Sequence, residues 1–323
     1  MRSNKSFILL AMPFFGLSLF GCKTDQKQAV PVEKRAAEYA STEYLIEVEQ
    51  LVDEIKVNPE LVIIDVRKSE TYFKEGHIPG AANLWRSDIE SNDYDYRGMM
   101  ASRDHLETLL GSIGCSNTSK IVMYDGQCNV DAARLWWILG HYGHNEMALL
   151  NGGLSAWKMA HYEMSNDTVY SEKASYSFSQ DYQGDWLAEM SEVKEALNDQ
   201  SSVLIDARTW EEYSGKRQKR NAYNSGHIPG SVWIDWVNTV NFNGDHKFKS
   251  YNDLMKIYAA EGLSKDQKVI TYCHSGVRSA HTAFVLTQLL GFEQVKNYDG
   301  SWTEWSYHPE LPVEKDSITS IVM

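Results

Sequence analysis

The chain has 323 residues, 44 of them acidic and 31 basic, for a formal net charge of −13. That balance argues against nucleic acid as a partner and for a self-repelling surface. The length asks for two domains, and 43% hydrophobic content with ten Trp and eighteen Tyr is enough to fill two cores.

Residues 1–22 read as an export signal and not as part of the fold. Arg2 and Lys5 form a positive start, and Phe7 to Phe20 form an apolar run too short to span a membrane. The run ends in Leu19-Phe-Gly-Cys22, which resembles a bacterial lipobox. That resemblance implies cleavage before Cys22, lipidation of Cys22, and an exported protein anchored to a membrane of the bacterial envelope. The alternative is an ordinary secretory signal with Cys22 incidental. Residues 23–40 are polar and charged and read as a tether.

From residue 41 the chain repeats itself. Leu61-Val-Ile-Ile-Asp-Val-Arg67 echoes Val203-Leu-Ile-Asp-Ala-Arg208, and Gly76-His-Ile-Pro-Gly80 returns as Gly226-His-Ile-Pro-Gly230. Ile121-Val-Met-Tyr-Asp125 aligns with Val269-Ile-Thr-Tyr-Cys273, 148 residues later. So long a period marks a duplicated domain and not a solenoid. In each copy short apolar strands alternate with helical patterns. The expected fold is α/β, each domain a mainly parallel sheet flanked by helices. The expected domains are 41–165 and 184–318, joined by a polar linker, 166–183.

The two copies differ where chemistry is expected. In the second, Val269 to Tyr272 reads as a buried strand, and a helix is predicted from about Ser279. Cys273 lies between them in the loop Cys273-His-Ser-Gly-Val-Arg278. Unpaired N–H groups of such a loop and of a first helical turn attract anions. Gly276 lets the loop curl, and Arg278 adds a positive charge. Cys273 is therefore expected to be partly thiolate and nucleophilic. In the first copy its place is taken by Asp125, and the place of Gly276 by Cys128. A loop of anion-directed amides is already filled by its own Asp, so the first domain is expected to be inactive and to wall one side of the site. Cys115 and Cys128 offer a pair that spacing alone neither forms nor forbids. The second copy also carries nine extra residues between its Asp-x-Arg and its Gly-His-Ile-Pro-Gly, with Lys216, Arg217, Lys219 and Arg220 among them.

These motifs, with Asn297-Tyr-Asp-Gly-Ser-Trp-Thr-Glu-Trp305, resemble the two-domain rhodanese-like thiosulfate/3-mercaptopyruvate sulfurtransferases. The resemblance implies two tandem rhodanese-like domains. It implies catalysis by Cys273 through a persulfide, with donor binding by His274, Ser275, Gly276, Val277, Arg278 and Arg220. Arg220 matches the anion-binding Arg of relatives, whereas Glu212 stands where many carry a second Arg. That departure favours thiosulfate over 3-mercaptopyruvate, because Glu212 is expected to oppose a donor carboxylate. Asp206, Arg208 and His227 recur in the first copy as Asp65, Arg67 and His77, so a supporting role is expected for them. The implied partners are a small anionic sulfur donor and a thiol or cyanide acceptor. No cofactor is implied, and no ligand-spaced His/Cys cluster suggests a metal. Two other classes share a cysteine loop. Phosphatases and arsenate reductases need Cys-x5-Arg, and here Arg278 comes one residue early. A non-enzymatic sulfur-binding module needs no intact loop.

Overall fold

The computed structural model describes residues 38–126, 128–179 and 184–315. The signal, Cys22 and the tether up to residue 37 lie outside the described residues, as do 180–183 of the linker and the end of the second domain from 316.

Each copy folds as a five-stranded, all-parallel sheet. The first holds β1 (Leu45–Ile46), β2 (Leu61–Asp65), β3 (Ala82–Asn83), β4 (Lys120–Tyr124) and β5 (Met147–Leu150), in spatial order β1-β5-β4-β2-β3. The second repeats the order with β6 (Leu187–Ala188), β7 (Ser202–Asp206), β8 (Val232–Trp233), β9 (Lys268–Tyr272) and β10 (Val295–Tyr298) as β6-β10-β9-β7-β8. The central strands β4 and β9 are buried on both faces, which their unbroken apolar runs require. Helices α1 (Val48–Val57), α2 (Ser69–Glu75), α3 (Arg103–Ser112), α4 (Val130–His141) and α5 (Gly153–Met159) cover the first sheet. Their counterparts are α6 (Met190–Ala196), α7 (Trp210–Tyr213), α8 (Tyr251–Ala260), α9 (Val277–Phe284) and α10 (Ser301–Tyr307).

Helices α4 and α9 follow the central strands and pack against each other, so the two domains share one core. Trp136 of α4 meets Phe284 of α9 edge-on at 4.8 Å, and Trp186, ahead of β6, lies 4.8 Å from Trp136. Gly140 lets that happen, because a Cβ there would sit 2.1 Å from the Trp186 ring. Both helices are buried almost all round, α4 mainly through apolar residues and α9 with Ser279, His281 and Thr282 among its buried side chains. Helix α9 begins at Val277, two residues before the predicted Ser279, because left-handed Gly276 (φ 75°) turns the chain straight into it. Part of the expected linker is bound to the first domain. Ala174 donates to the Gly111 carbonyl at 2.9 Å, and Tyr176 and Phe178 are buried.

Because Phe284 is fully buried at the junction of both domains, Phe284→Ala should cost about 3–5 kcal/mol in stability. Urea unfolding measures this, and a loss well below 1 kcal/mol would mean that the shared core carries little of the fold's stability.

Candidate active site

The end of β9 delivers Cys273 into a loop held from below by α10. Ser301 Oγ accepts the N–H groups of Cys273 (3.2 Å) and Gly276 (3.0 Å) and donates to the Tyr298 carbonyl (2.7 Å). The carbonyls of Cys273 and His274 accept the N–H groups of Trp302 and Thr303. Two loop amides are thus committed to shaping the loop. The N–H groups of Ser275 and Ser279 point instead at the Cys273 sulfur. Cys273 is 1% exposed, and burial alone pushes its thiol up. The Arg278 charge, the Ser279 hydroxyl and those two amides outweigh burial and bring it down to about 7. The Ser279 hydroxyl makes no other hydrogen bond among the described residues.

Arg278 lies in the first turn of α9, and its guanidinium donates to both Glu212 oxygens, at 2.7 and 2.9 Å. The expectation that Glu212 confronts the donor is corrected here. Glu212 is 3% exposed and turned onto Arg278, which holds it down to about 2 against the effect of burial. The other loop residues are each fixed by contacts of their own. His274 is buried with Nε2 3.0 Å from the Arg220 carbonyl, and burial with the charges of Lys219 and Arg278 lowers it to about 3, so its ring is neutral. Ser275 packs beneath Gly98 of the first domain, Val277 is buried, and Gly276 leaves room for Arg134. Arg220 contributes its carbonyl while the residue as a whole is exposed. The charge of its neighbour Lys219 acts on Cys273.

Asp206 and Arg208 form a buried ion pair. Arg208 Nε donates to both carboxylate oxygens at 2.9 and 3.0 Å, and Nη2 donates to the Gly226 carbonyl at 2.7 Å. Asp65, Arg67 and the Gly76 carbonyl repeat this geometry in the first copy. His227 stacks on Tyr213 at 3.8 Å, as His77 stacks on Tyr72 at 4.0 Å. Trp302, the aromatic unique to the second copy, is buried under Arg208 and donates to the Asn224 carbonyl. In the first copy Asp125 turns into its own loop and accepts the N–H groups of Asn129 (3.0 Å) and Asp131 (2.8 Å). Cys115 and Cys128 are both free and buried, and burial raises both thiols to about 12.

The first domain reaches the loop of Cys273 directly, through residues that the sequence did not single out. Arg134 of α4 is 1% exposed, pairs with Asp299, and donates to the carbonyls of Gly98 (2.9 Å) and Gly276 (3.4 Å). Residues 94–100 lie over the loop's rim. Met100 N–H donates to Asp299 Oδ2, Tyr96 OH to Glu304 Oε1, and Thr303 Oγ1 to the Arg97 carbonyl. Arg86, in a short 3₁₀ turn after β3, pairs with Asp131, and its charge also acts on Cys273.

A profile of the rhodanese-like domain matches residues 47–160 and 189–308. A Haloferax volcanii protein described as "Putative thiosulfate sulfurtransferase" is 36% identical over 275 residues, 83% of this chain and 94% of its own. The Thermus thermophilus "Sulfur carrier protein TtuD" is 31% identical over 290 residues, 86% of this chain and 98% of its own. The solved anaerobic ergothioneine biosynthesis enzyme of Chlorobium limicola has a TM-score of 0.78 at 24% identity, covering 86% of this chain and 71% of that one, a likeness of fold.

The thiolate is the form the cradle favours, so it should appear as pH rises through about 7, not through the ordinary 9.0. The ultraviolet thiolate absorbance of the protein, less that of a Cys273→Ser variant, measures the midpoint. Arg278→Met should move it upward, and a wild-type midpoint near the ordinary value would show that the cradle does not hold the anion.

Proposed function

The chain belongs to the rhodanese-like family, with two copies of its domain in tandem, and from that premise we propose that it is a thiosulfate sulfurtransferase working through Cys273. The observation that carries this reading is a buried cysteine held near neutrality on the amides of Ser275 and Ser279 beside Arg278. The thiolate attacks the outer sulfur of thiosulfate. A bond forms from Sγ to that sulfur, the donor's S–S bond breaks, and its electron pair leaves with sulfite. The product is a Cys273 persulfide whose terminal sulfur carries the negative charge. Amides already aimed at the cradle stabilise that anion without reorganising. Cyanide or a thiolate then attacks the terminal sulfur, leaving as thiocyanate or a new persulfide and restoring the Cys273 thiolate.

The Arg278–Glu212 pair speaks against a phosphatase. Two of the five Arg278 donors are already held by a carboxylate, which leaves fewer to fork onto a phosphate. The pair also revises the case on donors. Glu212 does not repel a carboxylate; it occupies the cation that would bind one, and this still favours compact thiosulfate over 3-mercaptopyruvate. The first copy is, on this reading, inactive, because Asp125 fills its own amide loop.

Incubation with thiosulfate should add one sulfur atom per chain by intact mass, and Cys273→Ser should abolish the gain, while Cys115→Ser and Cys128→Ser should keep it. Sulfur gained by the Cys273→Ser variant would remove Cys273 from the role.

The proposal extends to location. The apolar run into Leu19-Phe-Gly-Cys22 supports an exported lipoprotein anchored through Cys22. Expressed in a bacterium, the protein should partition into detergent and Cys22→Ala should release it or block its processing. A water-soluble wild type with its N-terminus elsewhere would dismiss the anchor.

A further inference from the structure

Resting on the sulfurtransferase reading, the step that loads Cys273 brings a dianion against a thiolate. Three negative charges then lie within a few bond lengths, and counter-charge has to come from nearby cations. Arg278 is the obvious source, with two of its donors bound to Glu212. Arg208 is bound in the same way to Asp206. Further positive charge comes from outside the loop.

Two side chains supply it, one from each domain. Lys219 is half-buried in the basic insertion and makes no ion pair among the described residues. The insertion is moored to the active loop, because the Arg220 carbonyl meets His274 Nε2 at 3.0 Å and the Asn224 carbonyl accepts from Trp302. Lys219 is therefore held close to the sulfur. Arg86 comes from the first domain. It packs over Trp85 at 5.5 Å and pairs through Nη2 with Asp131, while its Nε is buried without a partner among the described residues. Asp131 lies on α4 one turn before Arg134, and Arg134 donates to the Gly276 carbonyl of the active loop. Residues three apart share a helix face, so Asp131 presents Arg86 on the side of α4 that meets the loop. The charges of Arg86 and Lys219 act on each other and on Cys273.

We propose that Arg86 and Lys219 form a two-sided clamp for the oxyanion end of the sulfur donor, so that the first domain supplies a substrate-binding side chain to the second domain's active site. Donors that bear an anionic oxygen group beside the transferable sulfur, thiosulfate and organic thiosulfonates, are the class such a clamp selects. Asp131 acts as a positioning residue. It keeps Arg86 extended toward the loop and leaves Nε free.

The test is equilibrium binding of sulfite, the anion the clamp would hold as it leaves, to the full chain in a Cys273→Ser background by calorimetry. It is paired with thiosulfate loading of the Cys273 proteins by intact mass. Arg86→Met and Lys219→Met should each weaken sulfite binding by about tenfold or more, and the two together by more than either alone. Arg86→Lys should recover most of the affinity, and all variants should keep the wild-type melting temperature. Wild-type sulfite affinity in both Met variants would overturn the clamp. So would an Arg86→Lys protein as weak as Arg86→Met, because a purely structural Arg86 would give that result. A wild type that gains no sulfur from thiosulfate would fell the sulfurtransferase reading itself, whereas one that loads normally beside Met variants that load and bind as well as it does would fell only the clamp.

Discussion

One guanidinium ties the two halves of this molecule together. Arg134 is almost wholly buried, pairs with Asp299, donates to carbonyls of both domains, and stacks on Trp137 at 5.0 Å. A buried charge is tolerable only when its hydrogen-bonding capacity is met, and removing one partner of such a pair costs about 3–5 kcal/mol. Arg134 has that many partners only when the domains sit as they do. Its Nη1 lies 2.7 Å from where a Cβ on residue 276 would stand, so the glycine that curls the active loop also admits the arginine that braces it. Loop curvature and domain packing are consequently one constraint, met by the same atoms.

The bracing runs in both directions, with unequal results. The segment before α3 reaches over to the second domain, where Met100 N–H donates to Asp299. The segment before α8 reaches back, where Phe248 N–H donates to Asn151, the counterpart of Asp299. Gly98 lies on Ser275 of the live loop, while His246, its counterpart, stands 3.6 Å from Cys128 of the other loop. In the first loop Asp125 stands at the position of Cys273 and Val130 at that of Arg278. What it keeps is the scaffolding, including the Asp65–Arg67 pair and the His77–Tyr72 stack.

The duplication, the parallel sheets and the cysteine loop were legible because each rests on local patterns: apolar runs of strand length, a Gly-His-Ile-Pro-Gly turn written twice, a cysteine between strand and helix. The partners across the site were not. Glu212 and Arg278 are 66 residues apart, and nothing near Glu212 says that it turns inward to a guanidinium. Within an irregular insertion, spacing cannot decide whether Lys219 or Arg220 faces the sulfur, because no helix or strand period fixes the directions of their side chains. Arg134 lies 165 residues from its partner Asp299, and nothing near it in the sequence names that carboxylate. Arg86 carried one usable hint: the Trp85-Arg86 step that follows β3 in the first copy, where the second copy has Asp235-Trp236.

The shared core bears on the history of the gene. Tandem copies are ordinarily redundant, and either can be deleted once the other suffices. Here deletion of the first copy would expose one side of Phe284 and α9 to water and strand Asp299 without its counter-ion, in the wall of the loop that bears Cys273. Whatever chemistry a copy with Asp125 in place of Cys273 performs, it serves its twin as foundation.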